Sequence, residues 1–359
     1  RAMGYKRSER RMIAVEKRLR EGMTSKGIMG QTQDTIVQAI TSFALYGFPE
    51  SHAASFALLA YASAFLKCHY LAAFTAAALN NQPMGFYDAI TLVKDAQRHG
   101  LHFLPVDVEL SGWLCLVEEC GGERKVRLGF NYVKGFSRET AEAIIAERTR
   151  APFASIEELR RRIPQITKEE LKILADLGAL NPIGARHRRD ALWQSELALR
   201  PIGYLLESAE PPEIPSPLLP MNPVERLQAD FANTGFSIGA HPMRFCREQL
   251  EVMRVISADQ AKHLPDGSPV RVAGMVICRQ QPQTAKGFVF LSLEDETGIV
   301  NVILKPKVFA RLRVTVLSHS YLLVRGVLQN QRGVVSVKAV DVRPSPQPSN
   351  ASVPSHDFH

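Results

Sequence analysis

The sequence predicts a multidomain α + β chain: an all-α first part, a second helical region containing hairpins, and a C-terminal five-stranded β-barrel. Three observations carry this prediction. An Ala/Leu/Phe-rich run without a breaker extends from Ser51 to Leu79, a composition of high helix propensity. From Leu101 the helical period gives way to short extended segments punctuated by glycines. From Pro269 onward five apolar, β-branched runs recur, each bounded by turn residues, as short strands are.

The length of 359 residues allows two or three domains, each with its own core. The start at Arg1, in what reads as mid-helix, points to a fragment. No signal peptide or membrane-spanning pattern stands out. The five cysteines, Cys68, Cys115, Cys120, Cys246 and Cys278, have neither zinc nor disulfide spacing, so buried thiols in a reducing cytoplasm are expected. The formal charge of +8 is unevenly spread: residues 1–20 hold eight Lys/Arg against two acids, 123–200 sixteen against eleven, and 268–345 eleven against four. Segmented basic charge suits a protein that tracks a polyanion, because each neutralised phosphate releases counterions. Ordinary solvated faces give the same counts, and charge alone leaves both readings open.

Residues 1–100 are expected to form one helical domain. Ser8 to Arg20 is an amphipathic helix with a basic face, ended by Gly22 and the glycines at 27–30, and Asp34 to Leu45 is a second. Tyr46-Gly47-Phe48-Pro49-Glu50 reads as a turn, Ser51 as the N-cap, and Ser51–Leu79 as one helix about 40 Å long. That helix is apolar all round, so burial on most faces is expected. A membrane span competes, but His52, Lys67 and His69 interrupt the run. Gly85 to His99 is a further amphipathic helix, with Gly100 at its C-terminal cap.

Residues 101–200 begin with extended pieces, Phe103–Val108, Leu114–Glu118 and Arg124–Leu128, the last two joined by a Gly121-Gly122 hairpin turn. Val133-Lys134-Gly135-Phe136-Ser137-Arg138 then leads into a helix, in the form of a helix-hairpin-helix element. Gly135 permits the tight turn, Ser137 caps the helix, and outward amides with Lys134 and Arg138 suit a duplex phosphate. Ser137 stands where such hairpins often carry a second glycine, so a side chain sits close to the backbone approach. Lys168–Leu180, with Arg186, Arg188 and Arg189 beyond, is either a poorer copy or a helical hairpin supporting the first.

Residues 201–223 are proline-rich and read as a linker with polyproline character. Residues 224–267 are a helical connector around a glycine-rich turn at 235–242. Residues 268–342 hold strands at Pro269–Cys278, Phe288–Leu293, Ile299–Leu304, Tyr321–Leu328 and Val334–Val342, with a helical insert at Lys305–Arg313. A helix between the third and fourth of five strands is the order of an OB-fold barrel. If Val289, Leu291 and Leu293 fill the barrel, Phe288 and Phe290 look outward, beside Arg271 and Arg279 on the first strand. Exposed rings in a basic groove can stack single-stranded bases; packing under a neighbouring segment is the competing reading. Residues 343–359 are expected to be disordered.

Several segments carry a resemblance: Arg1-Ala2-Met3-Gly4-Tyr5-Lys6, Tyr46–Phe56, Leu66-Lys67-Cys68-His69-Tyr70, Leu219–Arg226 and Thr234–Met243. In these the chain resembles the bacterial C-family DNA polymerases, the DNA polymerase III alpha group, and the last two look more like the error-prone, lesion-bypass branch. The resemblance implies late fingers in residues 1–100, with Arg1, Lys6, Ser51 and His52 near an incoming deoxynucleoside triphosphate. It implies DNA, duplex and single-stranded template, as ligand. Catalytic carboxylates and their Mg2+ would lie in a palm absent from this chain, which on its own is expected to be inactive and to hold no cofactor. It further implies recruitment to the sliding clamp through accessory translesion proteins. Gln194–Leu199 is the nearest direct clamp-binding candidate, and also fits an ordinary helix. A replicative alpha-subunit fragment and a non-enzymatic nucleic-acid-binding protein stand as alternatives.

Overall fold

The structure, a computed structural model, describes residues 9–45, 50–83, 87–198, 216–331, 334–348 and 356–358. It divides into two compact units, Arg1–Tyr70 and Leu71–His359.

The first unit holds α1 (Glu9–Thr24), α2 (Gln31–Leu45) and α3 (Glu50–His69). Contrary to expectation, α1 runs through Gly22 and stops only where Gly27 and Gly30 adopt positive φ. Arg20 ties α1 to α2 by donating to Asp34 at 2.7 Å and to Glu16 of its own helix at 3.1 Å. The expected Ser51–Leu79 helix is two helices: α3 ends at His69, Tyr70 is non-helical, and α4 (Leu71–Asn80) opens the second unit. No proline or glycine marks that break. The expectation of burial also fails, since Phe56, Leu58, Leu59, Tyr61 and Phe65 of α3 are exposed. A helix without a polar face tells which surfaces are apolar, not what covers them. No described helix is long and apolar enough to cross a membrane.

In the second unit α4 buries Ala72, Ala76 and Leu79, and α5 (Ala89–Arg98) buries Ile90, Val93 and Ala96. Next come β1 (Phe103–Leu104), β2 (Leu116–Cys120) and β3 (Glu123–Arg127), in the order β1-β3-β2. Cys120 pairs with Glu123 across Gly121 and Gly122, both at positive φ, as a two-residue hairpin loop requires. Four helices follow, α6 (Arg138–Arg150), α7 (Ile156–Arg162), α8 (Lys168–Leu177) and α9 (Arg188–Ala198). Ser137, Ser155 and Thr167 each accept from the third amide of the helix they precede, which satisfies one of its orphan donors. The connector supplies α10 (Pro223–Thr234), α11 (Arg247–Val252) and α12 (Ala258–Lys262), and Asn222 with Glu225 forms a capping box on α10.

The barrel consists of β4 (Pro269–Gln280), β5 (Val289–Glu294), β6 (Ile299–Leu304), α13 (Pro306–Ser318), β7 (Tyr321–Gln331) and β8 (Val334–Pro344). The strands run in the order β5-β6-β8-β7-β4, and β4 pairs back with β5 to close the barrel. Val272, Val276, Leu291, Leu293, Val302, Val324 and Val337 fill it. On its outside Ala273, Met275, Tyr321 and Leu323 join the core of the helical part. The expected disordered tail needs correction: β8 continues to Pro344, and β9 (His356–Phe358) pairs in parallel with Cys278–Gln280. The cysteines form no disulfide; Cys115 and Cys246 are buried, whereas Cys68 is exposed, against the expected burial.

Candidate nucleic-acid interface

The hairpin is held rigid from below. Gly135 sits at φ 73°, with no atom nearer to a hypothetical Cβ than Ile173 Cδ1 at 3.9 Å. Backbone conformation, not crowding, therefore demands glycine here. The Ser137 hydroxyl accepts from the Thr140 amide at 3.0 Å, and the Ser137 amide donates to Glu170 Oε1 at 2.9 Å. Glu170 is buried and accepts through Oε2 from the Thr167 amide at 2.9 Å. One carboxylate thus joins the start of α6 to the start of α8, where helix N-termini favour negative charge.

Two of the basic residues expected at this hairpin have structural partners. Lys134 donates through its amide to Asn233 O at 2.8 Å and through Nζ to Phe231 O at 3.2 Å. It thereby caps the C-terminus of α10, and a Cβ on Gly235 would stand 3.4 Å from Lys134 Cε. The hairpin and the glycine-rich turn, 100 residues apart in the chain, are thus back to back. An ammonium has three donors, and Lys134 remains exposed. Arg138 donates to Glu142 at 2.7 Å and lies 5.9 Å from the centre of the Trp113 ring, its guanidinium still largely in solvent. Glu139 and Glu142 temper the positive potential of this end of α6.

On the barrel, Val289, Leu291 and Leu293 point inward as the alternation predicts. Phe290 is half-buried on the outer face, level with Ile303 of β6 and Lys338 of β8. The next row holds Ser292, Asn301 and Ser336, with Ser292 donating to Asn301 Oδ1 at 3.1 Å. Phe288 is half-buried one residue before β5. Arg279 departs from expectation. A β-bulge between Val276 and Cys278 shifts the alternation, so Arg279 pairs with the inward Leu291. Its side chain is buried and donates to Val316 O at 2.8 Å and His319 O at 2.6 Å, beneath α13. Arg271 is exposed but belongs to the far end of β4, opposite Arg325 rather than Phe290. The expected grouping of two rings with two arginines is not formed.

A buried ionic cluster has no counterpart in the sequence reading. Glu294, at the end of β5, is fully buried and accepts from Arg98 Nη1 at 2.8 Å. Lys94 Nζ donates to Gly239 O at 2.6 Å, and Gln97 donates to Ile238 O at 2.7 Å. His241 Nε2 lies 4.0 Å from the other Glu294 oxygen. Burial pushes the Glu294 carboxyl up to about 7, the Lys94 ammonium down to about 8, and the His241 imidazole down to about 3. Arg247 adds bonds to Asp295 at 3.2 Å and Glu296 at 2.9 Å. The cluster bolts α5, the glycine-rich turn and the barrel together. The bonds between its three segments join residues 48 to 196 positions apart in sequence, and no local pattern announces the pairing.

Of the residues expected near a nucleotide, Arg1 and Lys6 lie outside the described residues, as does the Ser51 side chain. His52 is exposed in the first turn of α3, its ring 4.5 Å from that of Phe56. The turn at 46–49 and most of the 201–223 linker also lie outside the described residues. Gln194 to Ala198 belong to α9, where Gln194 donates to Asp190 at 3.2 Å and Glu196 accepts from Lys168 at 2.8 Å. Among the described residues no group of three or more His, Cys, Asp or Glu side chains is placed to hold a metal ion.

Residues 100–191 match the family described as a helix-hairpin-helix motif, and residues 270–344 the family described as an OB-fold nucleic acid binding domain. The chain is 43% identical over its full length to an error-prone DNA polymerase of Anaeromyxobacter dehalogenans, and covers 32% of that protein. It is 42% identical over 94% of its length to one of Aromatoleum aromaticum, also covering 32%, and 42% identical over its full length to one of Corynebacterium efficiens, covering 33%. The chain thus spans about a third of the length of these curated relatives. Among solved structures, asparaginyl-tRNA synthetase from Pyrococcus horikoshii is similar over 25% of the chain and 22% of its own, at 21% identity and a TM-score of 0.21, too slight a likeness to carry an argument. Along its whole length, then, the chain is a homologue of the error-prone DNA polymerases, and it carries a helix-hairpin-helix domain and an OB-fold barrel.

Proposed function

We propose that this chain is the DNA-gripping part of an error-prone, translesion DNA polymerase working in the cytoplasm. The hairpin at Lys134–Arg138 takes duplex phosphates, and the barrel takes single-stranded template. Nucleotidyl transfer, and the Mg2+ it needs, belong to residues outside this chain, so the chain alone is inactive. Residues Arg1, Lys6, Ser51 and His52 assist the incoming deoxynucleoside triphosphate, and accessory translesion proteins provide the link to the sliding clamp.

The observation that supports this best is the way the barrel docks. It packs on the helical body through Ala273, Met275, Tyr321 and Leu323 of β4 and β7. The opposite strands β5, β6 and β8 present Phe290, Ile303, Asn301 and Lys338. A half-exposed ring flanked by polar and basic groups is a platform for a base.

The test is Phe290→Ala, read by fluorescence anisotropy on a labelled oligothymidine and on a duplex. Stacking on one ring is worth about 1–3 kcal/mol, so single-strand binding is expected to weaken by roughly 5- to 150-fold, with duplex binding little changed. Unchanged single-strand affinity together with a lower melting temperature would show that the ring only packs.

A further inference from the structure

A second charged surface lies on another flank of the barrel. Arg271 of β4, Arg325 of β7 and Arg343 of β8 converge on one groove, lined also by Met253, Leu323 and Asp341. Arg271 and Arg325 are direct cross-strand neighbours, and Arg343 pairs with Leu323, two residues from Arg325. Like charges facing each other across a ladder are destabilising. Compensation is partial: Asp341 accepts from Arg343 at 2.9 Å, and Arg271 donates to Met253 O at 2.9 Å. All three arginines are exposed, and with one carboxylate among them the groove is left with a surplus of positive charge.

We propose that this groove binds the phosphodiester backbone of nucleic acid, as a track separate from the Phe290 face. Guanidiniums are planar donors suited to phosphate oxygens, and a bound phosphate relieves the Arg271–Arg325 repulsion. The groove walls are aliphatic and offer no ring on which a base could stack, so recognition is through phosphate and blind to sequence and strand number. The surplus of arginine over carboxylate also disfavours the uncharged walls of an ordinary apolar ligand site. This inference rests on reading the barrel as a nucleic-acid binder, and extends it to a surface that the Phe290 platform does not include.

The double variant Arg325→Ala/Arg343→Ala tests it in the full chain, against the same oligothymidine and duplex probes across a salt series. Each lost phosphate contact lowers the slope of log affinity against log salt by roughly 0.9 on duplex and roughly 0.7 on a single strand. The variant is therefore expected to lose roughly 1.4 to 1.8 units on both probes, with the Arg325→Lys/Arg343→Lys variant recovering most of the slope. Unchanged slopes in the alanine variant, with wild type binding normally, would overturn the groove and leave the Phe290 platform standing. If the wild type bound neither probe, the reading beneath both would fail.

Discussion

Glu294→Ala is expected to lower the stability of the folded chain by about 3 kcal/mol, measured as a shift in the urea unfolding midpoint. The carboxylate is fully buried, and its removal strands Arg98 and leaves Lys94 beside an unneutralised pocket. Breaking a buried pair by deleting one partner costs about 3–5 kcal/mol, because the remaining charge stays desolvated. The lower end applies because the Arg98 side chain is 24% exposed, so water reaches part of it. Glu294→Gln keeps the shape and an acceptor for Arg98, and should cost less.

The glutamine variant also exposes a pH dependence. The folded carboxyl titrates near 7, above the ordinary 4.5 that applies on unfolding. Its contribution is therefore fully present below pH 4.5 and is lost as the pH rises through about 7. His241 works the other way: held neutral down to about 3, it contributes above its ordinary 6.5 and loses that contribution as the pH falls through 3. The two oppose each other between pH 4.5 and 6.5. The difference between wild-type and Glu294→Gln stability isolates the carboxyl, and should change between pH 5 and pH 8 in favour of wild type at pH 5.

Gly326→Ala is expected to cost about 3 kcal/mol by the same measurement, the upper part of the range for overpacking. An added Cβ would lie 2.3 Å from Lys338 O and 2.7 Å from Val337 Cγ1. The obstacle is the backbone of the adjoining strand, at the bulge where β7 and β8 change register between Arg325 and Gly326. Relief requires parting that ladder, since no flexible side chain can move aside. Gly267→Ala is the internal control: nothing lies within 4 Å of its Cβ position, and the penalty is backbone strain at φ 82° alone, about 1 kcal/mol.

Much of the fold was legible because local chemistry and tertiary structure agree. Gly121-Gly122 between two β-prone runs gives the hairpin, Ser137 gives the start of α6, and the order of five strands with one helix gives the barrel. What escaped has physical causes. The bulge at Val276–Cys278 inserts a residue that no glycine or proline advertises, and so turned Arg279 from an outer to an inner position. Lys134 has a second, structural role that sequence cannot show, because the C-terminus of α10 lies beneath it. The bolt of Lys94, Arg98, His241 and Glu294 is assembled from three distant segments, none of which shows in sequence that it meets the others. The break at Tyr70 carries no sequence mark, with neither proline nor glycine beside it.

The central claim is that hairpin and barrel of this one chain hold a sugar-phosphate strand. It is tested most directly by titrating the purified chain onto labelled single-stranded and duplex DNA at rising salt. Binding to both, with affinity falling linearly on a log–log plot at a slope of several units, is the predicted result. No binding, or an affinity indifferent to salt, would contradict it.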